Sequence, residues 1–252
     1  MLDYQARPDL LKGKTILVTG AGAGIGRAAA ISYAAHGATV ILAGRTVEKL
    51  EAVYDEIEQA GNPQPAIYPI DFKTATDSDY QQMANQIAAS FEQLDGVLHN
   101  ASQLGQMGPI ESSHTATFMQ TLQVNLNAPY MLTRYLIPLL REAEHASVIF
   151  TSSSVGRKGR AYWGSYCVSK FATEGLMQVL ADELENVSNI RVNTLNPGAT
   201  NTAMRRTAFP AERPTTNPFP EQLMPAYLYL MGEDSLNVNG QALNAQPIKA
   251  TS

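Results

Sequence analysis

The chain has one cysteine in 252 residues, Cys167, which excludes a disulfide framework. Its place in a helical pattern makes that thiol a small buried group rather than a nucleophile. Basic charge is also short, with 18 Lys and Arg against 23 Asp and Glu and a net charge of -5. A nucleic-acid face needs clustered cations to neutralise phosphates, so no nucleic-acid partner is expected. No apolar run approaches the about 18 residues that a membrane span needs, and MLDYQARPDLLKGK at the N-terminus carries charges where a signal peptide would be apolar. The expected protein is therefore cytoplasmic with no membrane partner. The four histidines His36, His99, His114 and His145 lack metal-ligand spacing, so no metal is expected. His99, at the end of an apolar run, is expected to be satisfied by backbone rather than to do chemistry.

With 44% hydrophobic residues the chain can bury a full core, and residues 1–252 read as one domain. Short apolar runs alternate with helical patterns: KTILVT, ATVILA, AIYPI, GVLHN, SVIFTS, IRVNTL and QALNA are strand candidates. Between them, Val47, Leu50, Tyr54 and Ile57, and then Tyr80, Met83, Ile87, Phe91 and Leu94, recur at helical spacing and read as core contacts. His36-Gly37 and Ala60-Gly61 supply helix ends. The pattern implies an α/β fold, a doubly wound parallel sheet of about seven strands with helices on both faces. One stretch, 203–221, is rich in proline and lacks a sustained period, which points to a loop or lid over a binding site.

Directly after the first strand stands TGAGAGIG, Thr19 to Gly26. It matches neither G-x-G-x-x-G nor the P-loop pattern, which requires Gly-Lys-Ser/Thr. What fits is T-G-x-x-x-G-x-G at a strand-to-helix junction, where bare backbone and a helix N-terminus receive a pyrophosphate. Farther along, Tyr166 and Lys170 in YCVSK lie four apart on a helix, on one face, after the serine cluster Ser152-Ser153-Ser154. A phenol beside an ammonium can serve as an acid/base pair, because the cation favours the phenolate and moves the pKa toward the working pH. The serine hydroxyl would donate to the substrate oxygen.

TGAGAGIG, HNAS at His99 to Ser102, Asn125 in VNLN, Ser153, YCVSK and the Asn196-Pro197-Gly198 turn together resemble the short-chain dehydrogenase/reductase family, in order and spacing, over nearly the whole chain. The resemblance is greatest to its YciK-like bacterial reductases, through LDGVLHNAS, FTSSSVGRKGR, SKFATEG and the tail MGEDS…NAQP. It implies a Rossmann-type fold and hydride transfer between a nicotinamide and a small-molecule carbonyl or alcohol. By resemblance, Tyr166 is the general acid/base, Ser153 orients the substrate oxygen, and Lys170 holds the nicotinamide ribose while lowering the tyrosine pKa. Asn125 resembles the residue that positions a water in the proton relay. The implied cofactor contacts are Gly20, Gly24, Ile25, Gly26, Arg45, Asp71, Phe72, Asn100, Ala101, Tyr166, Lys170, Pro197, Gly198 and Thr202, with Thr202 at the carboxamide and Asp71 at the adenine. Asp71 has a rival role as a helix cap.

The second strand ends in Gly44-Arg45-Thr46 with no acid before Glu48, so NADP(H) is favoured over NAD(H); the rival for Arg45 is a solvated position pairing with Glu48 or nothing. Ala23 stands where many NADP-binding relatives carry a second basic residue. Ser102 replaces the family's glycine and adds a Cβ beside the cofactor. The stretches from Thr115 to Ala143 and Trp163 to Val187 resemble the family's dimer helices, implying a homodimer or homotetramer. Arg157, Lys158 and Arg160 after Ser153 read either as cations at the pocket mouth, where they would attract an anionic substrate, or as a solvated basic turn that keeps the protein soluble or meets a neighbouring subunit. A catalytically silent NADP(H)-binding regulatory protein is the alternative, and the intact Ser153, Tyr166 and Lys170 count against it.

Overall fold

Apolar runs too short for helices become strands, and the inner ones are buried on both faces. In the computed structural model, which describes residues 1–247, they are β1 (Thr15–Thr19), β2 (Thr39–Gly44), β3 (Ala66–Pro69), β4 (Gly96–His99), β5 (Ala146–Thr151), β6 (Ile190–Asn196) and β7 (Ala242–Asn244). The expected domain limit at 252 lies outside the described residues. The strands form one parallel sheet in the order β3-β2-β1-β4-β5-β6-β7. Chain direction across the sheet reverses between β1 and β4, so the loops leaving them part and open a crevice at the C-terminal edge.

The helices are α1 (Gly24–Ala35), α2 (Val47–Gln59), α3 (Asp77–Ser90), α4 (Thr115–Leu122), α5 (Ala128–Arg141), α6 (Gly164–Glu185), α7 (Ala203–Ala208) and α8 (Met224–Met231). Alternation along the strands sends Ile16, Val18, Val40 and Leu42 into one core, and Leu17, Ile41, Val97 and Val148 into the other. The first core packs Tyr33 of α1 and Tyr227 of α8; the second packs Met83 of α3, Leu136 of α5 and Met177 of α6. Both faces of the sheet are thus covered, which is what continuous apolar strands require. His36 and Ala60 end α1 and α2, and the glycines that follow have φ of 97° and 74°.

Three details depart from the sequence expectations. The stretch from Thr115 to Ala143 is broken by a π-helical turn, Gln123–Asn127. Pro129 explains it: with no N–H to donate, it leaves the Asn125 carbonyl without its helical partner, and Thr173 Oγ1 takes that carbonyl at 3.4 Å. Residues 203–221 contain α7 and the 3-10 turns Pro214–Thr216 and Pro220–Leu223 rather than an irregular loop.

His99 is satisfied by a side chain and not by backbone. Its Nε2 lies 2.7 Å from Thr133 Oγ1 on α5, and its ring stacks on Phe150 at 4.7 Å. Burial pushes its pKa down to about 3. The folded chain keeps His99 neutral while the unfolded chain protonates it below about 6.5. Unfolding therefore takes up a proton, and stability falls as pH drops below that value, by about 1.4 kcal/mol per pH unit once the unfolded histidine is fully charged. His99→Gln should flatten this slope between pH 6 and 4.5 in urea unfolding; an unchanged slope would assign the acid sensitivity to carboxylates.

Candidate functional site

The crevice is a cavity of about 520 Å³ at the C-terminal ends of the strands. Its glycine wall is built by close approach. A Cβ on Gly26 would collide with the Gly20 carbonyl oxygen and lie 2.7 Å from Asn100 Nδ2, so α1 leaves β1 at a distance only glycine permits. Gly24 opens α1 with φ of 56°, and Ala23 before it is extended and supplies no side-chain cap. The first N–H groups of α1 are therefore free for an anion beside Gly24 and Ile25, which line the cavity. Thr19 locks the opposite lip: its hydroxyl accepts from the N–H groups of Asn100 at 3.0 Å and Ala101 at 3.1 Å. This tie across the switch point was not singled out in the sequence.

At the β2 end stand Arg45, Lys49, Lys73 and Asp71, the last being the one acid in the cavity lining. Arg45 is exposed and forms no ion pair with Glu48 among the described residues. Lys49, one turn along α2, adjoins the glycine loop, since a Cβ on Gly22 would come 3.0 Å from its own Cβ. It supplies a second basic group that Ala23 does not, and helix spacing from Arg45 is the sequence signal that could have found it. Asp71 is not a helix cap. It accepts from Lys73 N–H at 3.0 Å, and α3 is capped by Thr76 with Asp79, whose carboxylate accepts from Thr76 N–H at 2.7 Å. Phe72 is buried, stacks on Tyr80 and borders the cavity.

Ser153, Tyr166 and Lys170 face the other end. Ser153 and Tyr166 border the cavity together, and Lys170 Nζ donates to Thr151 O at 2.8 Å, 5.5 Å from the Tyr166 ring centre. One turn past Lys170, buried Glu174 accepts from Ser152 Oγ at 2.5 Å, Thr194 Oγ1 at 2.7 Å and Arg157 Nε at 3.1 Å. Lys170 and Glu174 thus grip the β5 strand end immediately before Ser153. Burial pushes Tyr166 up to about 12, against the lowering effect of the Ser153 hydroxyl. It also pushes Lys170 down to about 8, against the opposing charge of Glu174. The expected lowering of the tyrosine by Lys170 is thus outweighed: the ammonium is engaged by Thr151, and desolvation dominates.

Gly20, Gly24, Ile25, Arg45, Asp71, Phe72, Asn100, Ala101, Pro197, Gly198 and Thr202 all border the same cavity, whereas Gly26 and Asn125 lie behind its wall. The Asn125 amide is occupied, accepting from Gln103 N–H at 2.9 Å and donating to Gln103 O and Ser169 Oγ at 3.0 Å each. Thr202 caps α7 by accepting from Arg205 N–H at 3.1 Å. Gln246 holds the loop at Pro197 and Gly198 by donating to Pro197 O at 2.7 Å and Ala199 O at 2.8 Å. The basic cluster divides. Arg157 turns inward to Glu174 and to Leu243 O at 2.8 Å and Asn244 Oδ1 at 2.9 Å, Lys158 does not reach the cavity, and Arg160 lines it. Cys167 is only partly buried and donates to Val155 O at 3.0 Å. Ser102 borders the cavity, and its hydroxyl and Gln103 Nε2 are buried without a protein partner among the described residues. Two orphaned polar groups, an uncapped helix N-terminus and a glycine cradle fit a phosphate-bearing dinucleotide.

Fold and crevice define a Rossmann-type α/β protein with a Ser-Tyr-Lys group facing a phosphate-binding loop. The family model for short chain dehydrogenases matches residues 14–213, and the chain belongs to that family of oxidoreductases. It is similar to the uncharacterized oxidoreductase YciK of Escherichia coli K12, with 50% identity over 98% of this chain and 97% of that one. Among solved structures, a short chain dehydrogenase from Pseudomonas syringae superposes with a TM-score of 0.96 at 59% identity, covering 98% of this chain and all (100%) of that one. Another from E. coli CFT073, crystallised with NADPH, has a TM-score of 0.94 at 51% identity, covering 96% of this chain and 100% of that one.

Proposed function

We propose that the protein is an NADP(H)-dependent carbonyl reductase or alcohol dehydrogenase acting on a small molecule. The observation that carries the reading is one cavity with a bared helix N-terminus, Arg45 and Lys49 at one end and Ser153, Tyr166 and Lys170 at the other. The relative crystallised with NADPH, and another from Shigella flexneri 2a with NADP, support the cofactor. When bound, NADP(H) supplies or accepts the hydride at its nicotinamide ring. Arg45 and Lys49 would hold its 2′-phosphate, Asp71 and Phe72 its adenine side, and the α1 N-terminus with Gly20, Gly24, Ile25 and Gly26 its pyrophosphate. Asn100, Ala101, Pro197, Gly198 and Thr202 would line the path to the nicotinamide.

Ser153 and the phenol together receive the substrate oxygen. In reduction Tyr166 gives its proton to that oxygen; in oxidation it takes one from the hydroxyl. Its raised pKa keeps it a proton donor at neutral pH, and Lys170, with a pKa near 8, stays mostly protonated there, so that its ammonium would offset the negative charge left on the phenol once the proton is given. Asn125, behind the cavity wall with its amide on Gln103 and Ser169, would take part in the proton relay through a water. Removing only the phenolic proton tests the assignment. Tyr166→Phe should lower kcat at least about a hundredfold while NADPH affinity stays within about threefold; retention of a tenth of the activity would discard the role.

Residues 203–221 act as a lid in this reading, since Ala203, Met204, Arg205, Ala208 and Phe209 border the cavity. Replacing Arg45 and Lys49 with alanine should weaken NADPH at least about tenfold more than NADH, because only NADPH carries the extra phosphate. In the wild-type protein the same NADPH titration should slow proteolysis within 203–221. Equal losses for both cofactors would assign the two cations to the surface, and ligand-independent cleavage would remove the lid.

Met119, Tyr130, Phe171, Val179 and Val187 are exposed on or beside α4, α5 and α6. Their apolar area supports pairing of these helices in a homodimer or homotetramer. Light scattering at micromolar concentration should give a dimer mass or more; a monomer mass would refute the pairing. The single cysteine supports a reducing compartment, and we place the activity in the cytoplasm.

A further inference from the structure

The substrate end of the cavity has a composition of its own. Leu104, Val155 and Tyr166 form a small apolar cluster outside both sheet cores, with Trp163 and Met204 packed against it. An aromatic wall extends from the phenol: the Trp163 ring lies 5.8 Å from Tyr166 and 5.7 Å from Phe209. Arg160 closes this wall, with its guanidinium carbon 5.8 Å from the Trp163 ring centre and 5.7 Å from that of Phe209. Two ring contacts therefore separate the guanidinium from the acid/base phenol.

The loop is shaped to bring Arg160 there. Tyr162 takes a left-handed backbone with φ of 73°, a costly conformation for a tyrosine. Its carbonyl accepts from Gly108 N–H at 2.9 Å, and Trp163 N–H donates to Arg160 O at 3.3 Å. The chain thereby folds back and lays Arg160 over the rings.

Two nearby arginines are already matched. Glu174 holds Arg157, and Glu212 takes Arg205 through two bonds of 2.6 and 2.7 Å. Arg45, Lys49 and Lys73 belong to the β2 end, beside the glycine loop. Arg160 has no carboxylate within ion-pair distance among the described residues, and no acid lines the substrate end. A guanidinium stacked on aromatic faces keeps its N–H edge free, and that edge matches the two oxygens of a carboxylate. With the Lys170 ammonium committed to Thr151 O beside the phenol, the single guanidinium at the outer end of the wall balances a monoanion, which favours a carboxylate over a doubly charged phosphate.

We propose that the substrate is a carbonyl or alcohol compound bearing a carboxylate on an apolar, aromatic-sized body. The reacting oxygen meets Ser153 and Tyr166, the body lies along Leu104, Val155 and Trp163, and the carboxylate meets Arg160. The proposal rests on the oxidoreductase reading above and adds the substrate class.

The test uses 4-formylbenzoate and its methyl ester, which share ring and carbonyl and differ in the charge. Trp163 is the single tryptophan of the chain, so its fluorescence reports binding at this wall directly. With the protein saturated in NADP+, the wild type should bind the acid at least about fivefold more tightly than the ester, and added salt should shrink that ratio. Arg160→Gln should bring the ratio near one, and Arg160→Lys should keep part of it. NADPH oxidation then reads turnover of both compounds. Equal affinity in the wild type, a ratio that survives Arg160→Gln, or no binding of the acid at millimolar concentration would each overturn the proposal. Reduction of both aldehydes without discrimination would keep the oxidoreductase reading and remove this one. Selective binding of the acid without NADPH oxidation would do the reverse.

Discussion

The crevice depends on a buried carboxylate. Glu174 sits where α6 crosses the ends of β5 and β6, and a carboxylate there is tolerated only because two hydroxyls and the Arg157 guanidinium surround it. Those bonds set how far the serine-bearing strand end stands from the helix of Tyr166 and Lys170. Lys170 adds its own grip one residue earlier, at Thr151 O. The placing of Ser153 and Tyr166 on one cavity wall follows from this frame. Polar interactions specify the geometry here, while the two apolar cores on either side of the sheet supply most of the stability.

Burial acts in opposite senses on the two titrating groups. It disfavours whichever form carries charge, so the phenol holds its proton more firmly and the ammonium less. Two groups that are nearly equal in proton affinity in water are thereby driven apart, the phenol to about 12 and the ammonium to about 8. Glu174 restrains the shift of Lys170, and a cationic nicotinamide would act on the phenol in the sense opposite to burial. Acid/base poise in this site is a balance of desolvation against charge, with the protein supplying the first and part of the second.

Most of the architecture was legible because each strand is an apolar run bounded by turn residues, and all seven candidates became strands within a residue or so. The glycine pattern and the tyrosine–lysine spacing located both ends of the cavity for the same reason: local spacing encodes local geometry. What escaped the sequence reading was set at a distance. Arg157 looked like a solvent cation, but its partners are Glu174 on α6 and Leu243 and Asn244 at the far edge of the sheet. Thr19 and Gln246 act by binding backbone of other segments, which no period reveals. The broken helix at Asn125 was readable in principle, since Pro129 removes the donor that its carbonyl requires. His99 was rightly taken as structural, though its partner is a hydroxyl on a helix 34 residues away.

The stapling of β7 has a consequence for assembly in time. Arg157 holds Leu243 and Asn244 from one side of the sheet edge, and Gln246 reaches back to the turn after β6 from the other. A nascent chain still lacking those residues can pair β1 to β6 and bury most of its apolar surface, yet its loop from Pro197 to Ala199 keeps only bonds to its immediate neighbours, Gly198 N–H to Asn196 Oδ1 and Thr200 Oγ1 to Gly198 O, and Arg157 has lost two of its acceptors. The crevice is therefore finished only when β7 docks, after the rest of the sheet has formed, and a chain without it would carry Ser153, Tyr166 and Lys170 without the walls that aim them.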